Sequence, residues 1–411
     1  MLWQIQRFFV TDSVLSKFLD RNTPPHISTL IILSGLPALS MTLFLPSLPN
    51  MTEYFQTDYR VMQLSVATYL LFNAVLQVVV GPISDFFGRR LIVLWSIVFF
   101  LIATFGCMFA PNVEVFLFFR MCQAVIVTGM VLSRAIVRDL YPARQAASMI
   151  GYVTMGMAVA PMLGPMIGGF LDEAFGWKAS FSLFLIIGGI TLAMSYFDLG
   201  ETLPARKKNI WSQFKEYPEL FQSHRFWGYC FVAAFSSGVF FAYLGGAPFI
   251  GSEIFGLEPG TLGFYFGLTA FGYMSGNFFS GKWSVRVGIN KMIIIGCFIT
   301  LIGPIGPILA TYAGSTHPLS FFGFAILMGV GNGLIMPNAT AGMLSVRPHL
   351  AGTAAGIGGA IMIGIGSGLS ALAGSLLTTE SGPYPLYYIM LFCVIMGLIC
   401  GWYVVLRSRT P

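Results

Sequence analysis

Side chains able to make or break bonds are sparse in this sequence, and they do not cluster. The six cysteines, Cys107, Cys122, Cys230, Cys297, Cys393 and Cys400, all lie in apolar stretches without a Cys-x-x-Cys pair. They read as small buried hydrophobes rather than as metal ligands or disulfide halves. His26, His224, His317 and His349 fall in loops or at the ends of apolar runs, as do all sixteen acids. No metal and no cofactor is expected, and a membrane enzyme, which needs clustered His, Asp or Cys near one face, is disfavoured. No Gly-x-x-x-x-Gly-Lys-Ser/Thr loop occurs, so nucleotide-driven work is disfavoured too. What remains is binding chemistry. Arg120 is embedded in an apolar run with Gln123 three residues on. An arginine at the centre of a bilayer costs at least roughly 2.5–3.5 kcal/mol, so it is expected to face a cavity or a partner. Tyr69, Asn73, Gln77, Tyr243, Tyr265, Tyr273, Asn277 and Asn332 are further polar groups inside apolar runs. Amides and phenols among Phe and Met suit a small amphiphilic neutral ligand, and 21 methionines allow the lining to repack.

The elements that must position these groups follow from composition. Of 411 residues, 56% are hydrophobic and only 9% are charged, against about a quarter charged in soluble domains. Apolar stretches long enough to cross roughly 30 Å of hydrocarbon recur throughout. Spans are expected near 28–49, 62–83, 91–110, 114–137, 146–171, 180–199, 227–250, 262–283, 292–312, 319–343, 352–377 and 387–406. They read as helices, because backbone groups in lipid must be satisfied within the segment. Lys and Arg sit mainly in alternate loops, with only Arg60 and Lys178 on the opposite side. That asymmetry places both termini in the cytoplasm. It also accounts for the net charge of +6 without nucleic acid, since the basic excess lies where anionic lipid would be. The expected organisation is a cytoplasmic lead-in (1–27), a six-helix half (28–200), a cytoplasmic central loop (201–226), a second six-helix half (227–406) and a short tail (407–411). A signal peptide is not expected in the lead-in, which carries Asp12, Lys17, Asp20 and Arg21. An internal repeat supports the two halves. At an offset of 200, Gly81 and Gly88 align with Gly281 and Gly288, while Gly156, Ala160, Gly164 and Gly168 align with Gly356, Ala360, Gly364 and Gly368.

Three motifs extend the reading. The loop after the second span, Gly81-Pro82-Ile83-Ser84-Asp85-Phe86-Phe87-Gly88-Arg89-Arg90, resembles the cytoplasmic signature of the major facilitator superfamily. The resemblance implies a latch that closes the cytoplasmic side, in which Arg89 and Arg90 hold Asp85, with Arg138 and Asp139 of span four nearby. Gly156, Pro161, Gly164, Pro165, Gly168 and Gly169 of span five look like the antiporter signature of drug-exporting facilitators. Small residues four apart give a flat face for close helix contact, and prolines permit a kink. Arg120-Met121-Cys122-Gln123 resembles the superfamily's Arg-x-x-Gln signature, with Ala124 where a glycine is expected. Phe44-Leu45-Pro46-Ser47-Leu48-Pro49, Arg134-Ala135-Ile136-Val137-Arg138-Asp139-Leu140-Tyr141-Pro142 and Gly245-Gly246-Ala247-Pro248-Phe249 resemble the bicyclomycin and chloramphenicol resistance branch (Bcr/CflA-like) of drug:proton antiporters. That resemblance implies export of small, mostly uncharged compounds across the bacterial inner membrane in exchange for protons, by a monomer. One departure stands out: where the branch places a span-one aspartate as proton carrier, this chain has Thr42. Thr42 cannot titrate, which makes a proton-independent facilitator or importer the alternative, with Asp58 or Glu53 as peripheral proton sites.

Overall fold

The computed structural model describes residues 16–141, 149, 153, 160, 163–203, 220–347 and 351–407. Among these residues the chain is helical and has no strand. Eleven long helices are described: α1 (Ile27–Tyr54), α2 (Tyr59–Phe87), α3 (Arg89–Met108), α4 (Val113–Leu140), α6 (Lys178–Asp198), α7 (His224–Ile254), α8 (Pro259–Val287), α9 (Ile289–Tyr312), α10 (Leu319–Ser345), α11 (Ala351–Leu376) and α12 (Tyr384–Arg407). Of the span expected at 146–171, the helix α5 is described over 163–175. Gly156 and Pro161 of its glycine motif lie outside the described residues.

Most helices run a few residues past the apolar stretches that announce them, because their ends are capped by polar side chains that reach beyond the hydrocarbon. Asp58 accepts the Arg60 N–H at 2.9 Å to start α2, and Asn112 accepts the Val115 N–H at 2.9 Å to start α4. Ten of the helices have the length and hydropathy of membrane spans, and the chain crosses the membrane. Helix α8 reads less strongly as a span because Gly, Thr, Tyr, Ser and Asn, Thr269, Tyr273, Ser275 and Asn277 among them, interrupt its apolar run. Lipid-facing stripes are apolar: Trp95, Phe99 and Ile102 lie a helical turn apart on α3, and all are more than half exposed.

Helices α1 to α4 pack with α6, and α7 to α12 pack with one another. The two sets meet chiefly where α2 crosses α11 and where α5 crosses α8. The repeat is visible in the backbone. Gly88 ends α2 at φ 103° with its N–H on Ser84 O at 2.9 Å, and Gly288 ends α8 at φ 90° with its N–H on Ser284 O at 2.8 Å. Only glycine takes that conformation without strain, so the two turns fix the same reversal 200 residues apart. They define one end of the bundle, the motif end; the other is the far end. Gly81 and Gly281 do not serve close helix approach, for each has open space where a Cβ would stand.

Three helices depart from α geometry. Helix α1 breaks at a 3-10 turn, Leu45–Ser47, where Pro46 interrupts the hydrogen-bond ladder. In α4 a 3-10 turn, Ala124–Ile126, follows Gln123, and α7 ends in a π turn, Ile250–Ile254, after Pro248. One expectation is corrected. Cys107, Cys230, Cys297 and Cys393 are buried as expected, but Cys122 is exposed and Cys400 half-buried. A thiol behaves as a small hydrophobe, and lipid accommodates it as readily as a protein core does.

Candidate functional site

Arg120 lies seven residues into α4, about 10 Å along the axis from its start at a rise of 1.5 Å per residue. Its side chain is fully buried. The guanidinium is clamped between two rings, its carbon 4.3 Å from the Phe44 centroid on α1 and 4.1 Å from the Tyr69 centroid on α2. Such stacking compensates a cation that has left water. In the guanidinium plane, Nη1 donates to Gln123 Oε1 at 2.6 Å and Ser40 Oγ at 3.2 Å, and Nη2 donates to Ser40 O at 2.7 Å. Gln123 passes the network on, donating to Thr104 Oγ1 on α3 at 2.8 Å. Every one of these acceptors is neutral, and Arg120 Nε has no hydrogen-bond partner. No carboxylate pairs with the cation among the described residues. The breaks in α1 and α4 fall beside this cluster: Leu45–Ser47 follows Phe44, and Ala124–Ile126 follows Gln123. A 3-10 turn inside a helix often marks a hinge.

Thr42 is buried but faces elsewhere. Its hydroxyl donates to Ala38 O at 3.2 Å, and it lies against Gly164 of α5, whereas Ser40 and Phe44 meet Arg120. The other neutral candidates divide among separate places. Asn73 accepts from Gln77 at 2.8 Å, and Gln77 faces Gly359 of α11. Tyr243 bonds Thr269 Oγ1 at 3.0 Å between α7 and α8. Asn277 donates to Tyr273 O within α8 at 2.9 Å, and Tyr265 stacks on Phe322. Asn332 accepts from Ser236. The hydrogen bonds thus join Arg120 and Gln123 to Ser40 and Thr104, with Tyr69 stacked on the cation, and not the whole candidate list. Ser40 and Thr104 were not singled out in the sequence, and Phe44 only as part of a family motif and not as a partner of Arg120; the i, i+4 spacing of Ser40 and Phe44 on α1 is the signal that marks them as one face.

At the motif end Arg89 is the hub. It pairs with Asp85 at 2.6 Å and Asp139 at 3.1 Å, donates to Ser84 Oγ, and its backbone N–H meets Glu201 Oε1 at 2.9 Å. Arg90 does not hold Asp85 as expected. It donates to Leu199 O at 2.8 Å and Tyr196 O at 3.1 Å, because the helix that begins at Arg89 turns the next side chain toward the end of α6. Arg138 is exposed beside Asp139.

Helix α5 makes contact on two faces. A Cβ at Gly164 or Gly168 would collide with Thr42 or with the Leu43 carbonyl of α1, and a Cβ at Gly169 with the Pro259 carbonyl of α8. Gly263 of α8 in turn lies against the Pro165 carbonyl. Across the far half of α2, Tyr59 donates to Gly245 O at 3.0 Å, Gln63 to Ser370 O at 2.8 Å, and Ser367 donates to Ala67 O at 2.6 Å.

Residues 30–362 match the Major Facilitator Superfamily, and the chain belongs to it. It is 25% identical over 396 residues to a bicyclomycin resistance protein homolog of Haemophilus influenzae, covering 95% of this chain and 98% of the relative. It is 27% identical over 384 residues to a chloramphenicol resistance protein of Pseudomonas aeruginosa, covering 91% and 90%. Among solved structures, a bacterial homolog of the human lysosomal transporter Spinster, inward-facing and occupied, superposes with a TM-score of 0.69 at 16% identity, over 94% of this chain and 96% of that one. The protein is therefore a membrane transporter of this superfamily, and not an enzyme.

Proposed function

We propose that this transporter exports small, mostly neutral drugs or metabolites across the bacterial inner membrane by alternating access, exchanging them for protons. In this reading the motif end faces the cytoplasm with both termini, as the Lys and Arg distribution favours, and the far end faces outward. The Arg120 cluster carries the proposal. A fully buried guanidinium held only by neutral groups, between two broken helices, is poorly compensated electrostatically. A ligand that changes its hydration or its ring contacts therefore shifts the balance of states. Ser40, Gln123, Phe44 and Tyr69 act here as the ligand-responsive shell. Asn73 and Gln77 continue the polar line along α2 toward α11, while Tyr243, Tyr273 and Asn277 contribute from the other set. The names of the resistance relatives supply the substrate class, small antimicrobials. The Arg89 hub with Asp85 and Asp139 is the cytoplasmic latch, and the glycine face of α5 is the joint between sets.

A second reading rests on Thr42, whose hydroxyl is already bonded to Ala38 O. With no acid on that helix next to Arg120, transport runs downhill without protons. Everted membrane vesicles decide between the two. With an acid interior established, addition of an amphenicol should release protons to a pH-sensitive dye if the chain is an antiporter. Substrate that equilibrates with no proton movement means a facilitator.

A further inference from the structure

Asp172 lies at the end of an apolar run in the sequence, and the structure buries it. It stands just past the apolar run that ends near residue 171, on the face of α5 that also carries Gly164 and Gly168, four and eight residues back. Its residue is 4% exposed. One carboxyl oxygen accepts from Asn50 Nδ2 of α1 at 2.6 Å, and the other, Oδ1, has no hydrogen-bond partner. The Ser47 hydroxyl stands beside it and is itself unbonded.

The charged groups around it offer no compensation. On α1 its neighbours Ser47 and Asn50 are neutral, and Glu53 is exposed. On α5, Glu173 turns the other way, against Gly260 of α8. On α6 the Lys178 ammonium lies over the Tyr54 and Trp177 rings at 5.2 and 5.5 Å. From α8 and α2 the nearby termini bring Glu258, Asp58 and Arg60, all exposed. Neither ion pair described in the structure involves Asp172. Burial pushes its carboxyl above the ordinary range, and the hydrogen bond from Asn50 pulls it partly back.

Its location gives this acid a lever. Ser47 and Asn50 flank the junction where α1 breaks, between the 3-10 turn Leu45–Ser47 and the outer piece Leu48–Tyr54. That 3-10 turn packs against α7 and α8, and the outer piece reaches α7, so both belong to the closed far end. We propose that Asp172 is a proton-operated clasp on the outer piece of α1, taking up one proton from the outer side as that piece packs down and returning it when the piece lifts. The inference rests on the alternating access proposed above, and not on the identity of the substrate.

The sign follows from linkage. The closed state binds the proton more tightly than the solvated open state, so closure is favoured at low external pH and lost as pH rises through the raised pKa. One proton changes the closed-to-open ratio by at most about tenfold per pH unit.

The test is a distance measurement between spin labels at Gln56→Cys and Thr261→Cys, both exposed, in the full chain with Cys122→Ser, reconstituted in liposomes. The short-distance population of the otherwise unaltered chain should grow as pH falls, Asp172→Asn should hold the short distance at every pH, and Asp172→Glu and Glu173→Gln should keep the response. An Asp172→Asn chain with an unchanged pH response, a flat response before any change at Asp172, or a response abolished by Glu173→Gln overturns the clasp. As a check independent of motion, in an infrared titration the carbonyl band of a protonated carboxyl should persist to higher pH than that of a solvated carboxyl and be missing in Asp172→Asn; a band that stays assigns the proton elsewhere. A normal pH response in a chain that moves no amphenicol would sink the export reading and leave the clasp standing.

Discussion

Helices α5 and α11 carry the same small-residue run 200 positions apart, yet they use it differently. On α5, Gly164 and Gly168 press into Thr42 and Leu43 of α1, and Gly169 into Pro259 of α8. On α11, Gly368 has nothing within contact and Gly364 only touches Ala74, while close approach passes to Gly359 against Gln77 and Gly374 against Gln63. The polar interior divides likewise. Helices α1 to α4 hold a buried cation and an Asp85–Arg89–Asp139 hub, whereas the side-chain pairs described within α7 to α10 are neutral, such as Tyr229–Asn290, Tyr243–Thr269 and Asn338–Ser280. At the position matching Arg89 the second set has Ile289, and at that matching Arg90 it has Asn290. The repeat has thus kept its backbone while its charge has gathered in the first set. The function proposed above places the response to ligand chiefly in the first set.

Substitutions that break this contrast should differ in a fixed order. The largest difference is expected between Gly168→Val and Gly368→Val. The first forces side-chain atoms into a backbone carbonyl, which has no rotamer to yield, and overpacking of this kind costs about 1–3 kcal/mol or more. It should lower the melting temperature and yield of detergent-purified protein, while Gly368→Val leaves both near their starting values. Arg120→Lys comes next. An ammonium keeps the charge but cannot present a planar face to both rings or reach Ser40 and Gln123 together. Substrate flux should fall at least about tenfold, a loss that Tyr243→Phe, which removes one neutral bond, does not reproduce.

Smaller effects sharpen the comparison at the motif end. Asp139→Asn removes one of two carboxylates on Arg89 at a partly solvated site, where such pairs contribute about 1 kcal/mol or less. Stability should hardly change, and the exchange rate between states, read by single-molecule fluorescence, should rise severalfold. Thr42→Asp sharpens the coupling question. It places a carboxyl against Gly164, without a ready partner, and should make flux more steeply dependent on pH than in the parent chain. Flux with the parent's pH dependence would show that this position no longer communicates with transport.

Much of this was legible from residues alone, for reasons specific to lipid. The helices with the length and hydropathy of membrane spans follow from the apolar runs, and the turns at Gly88 and Gly288 from glycines placed where a positive φ is required. Arg120 drew attention because an isolated charge in an apolar run must find a cavity or partners on neighbouring helices. Its shell did not, since Ser40, Phe44 and Thr104 come from two other helices and no local pattern records which rings will flank a guanidinium. The direction of Arg90 was likewise set by the end of α6, over a hundred residues away. Asp172 is the sharpest case. By sequence it is one of two adjacent acids at the end of an apolar run, and only the close seating of α5 on α1 removes it from water.

The central claim, that transport responds through the Arg120 cluster and not through the neutral network of the second set, is tested most directly by counterflow of a labelled amphenicol in proteoliposomes, comparing Arg120→Ala with Asn332→Ala at matched protein levels. The account predicts that Arg120→Ala abolishes counterflow while Asn332→Ala retains most of it. Counterflow that survives Arg120→Ala, or is lost equally in both, would contradict it.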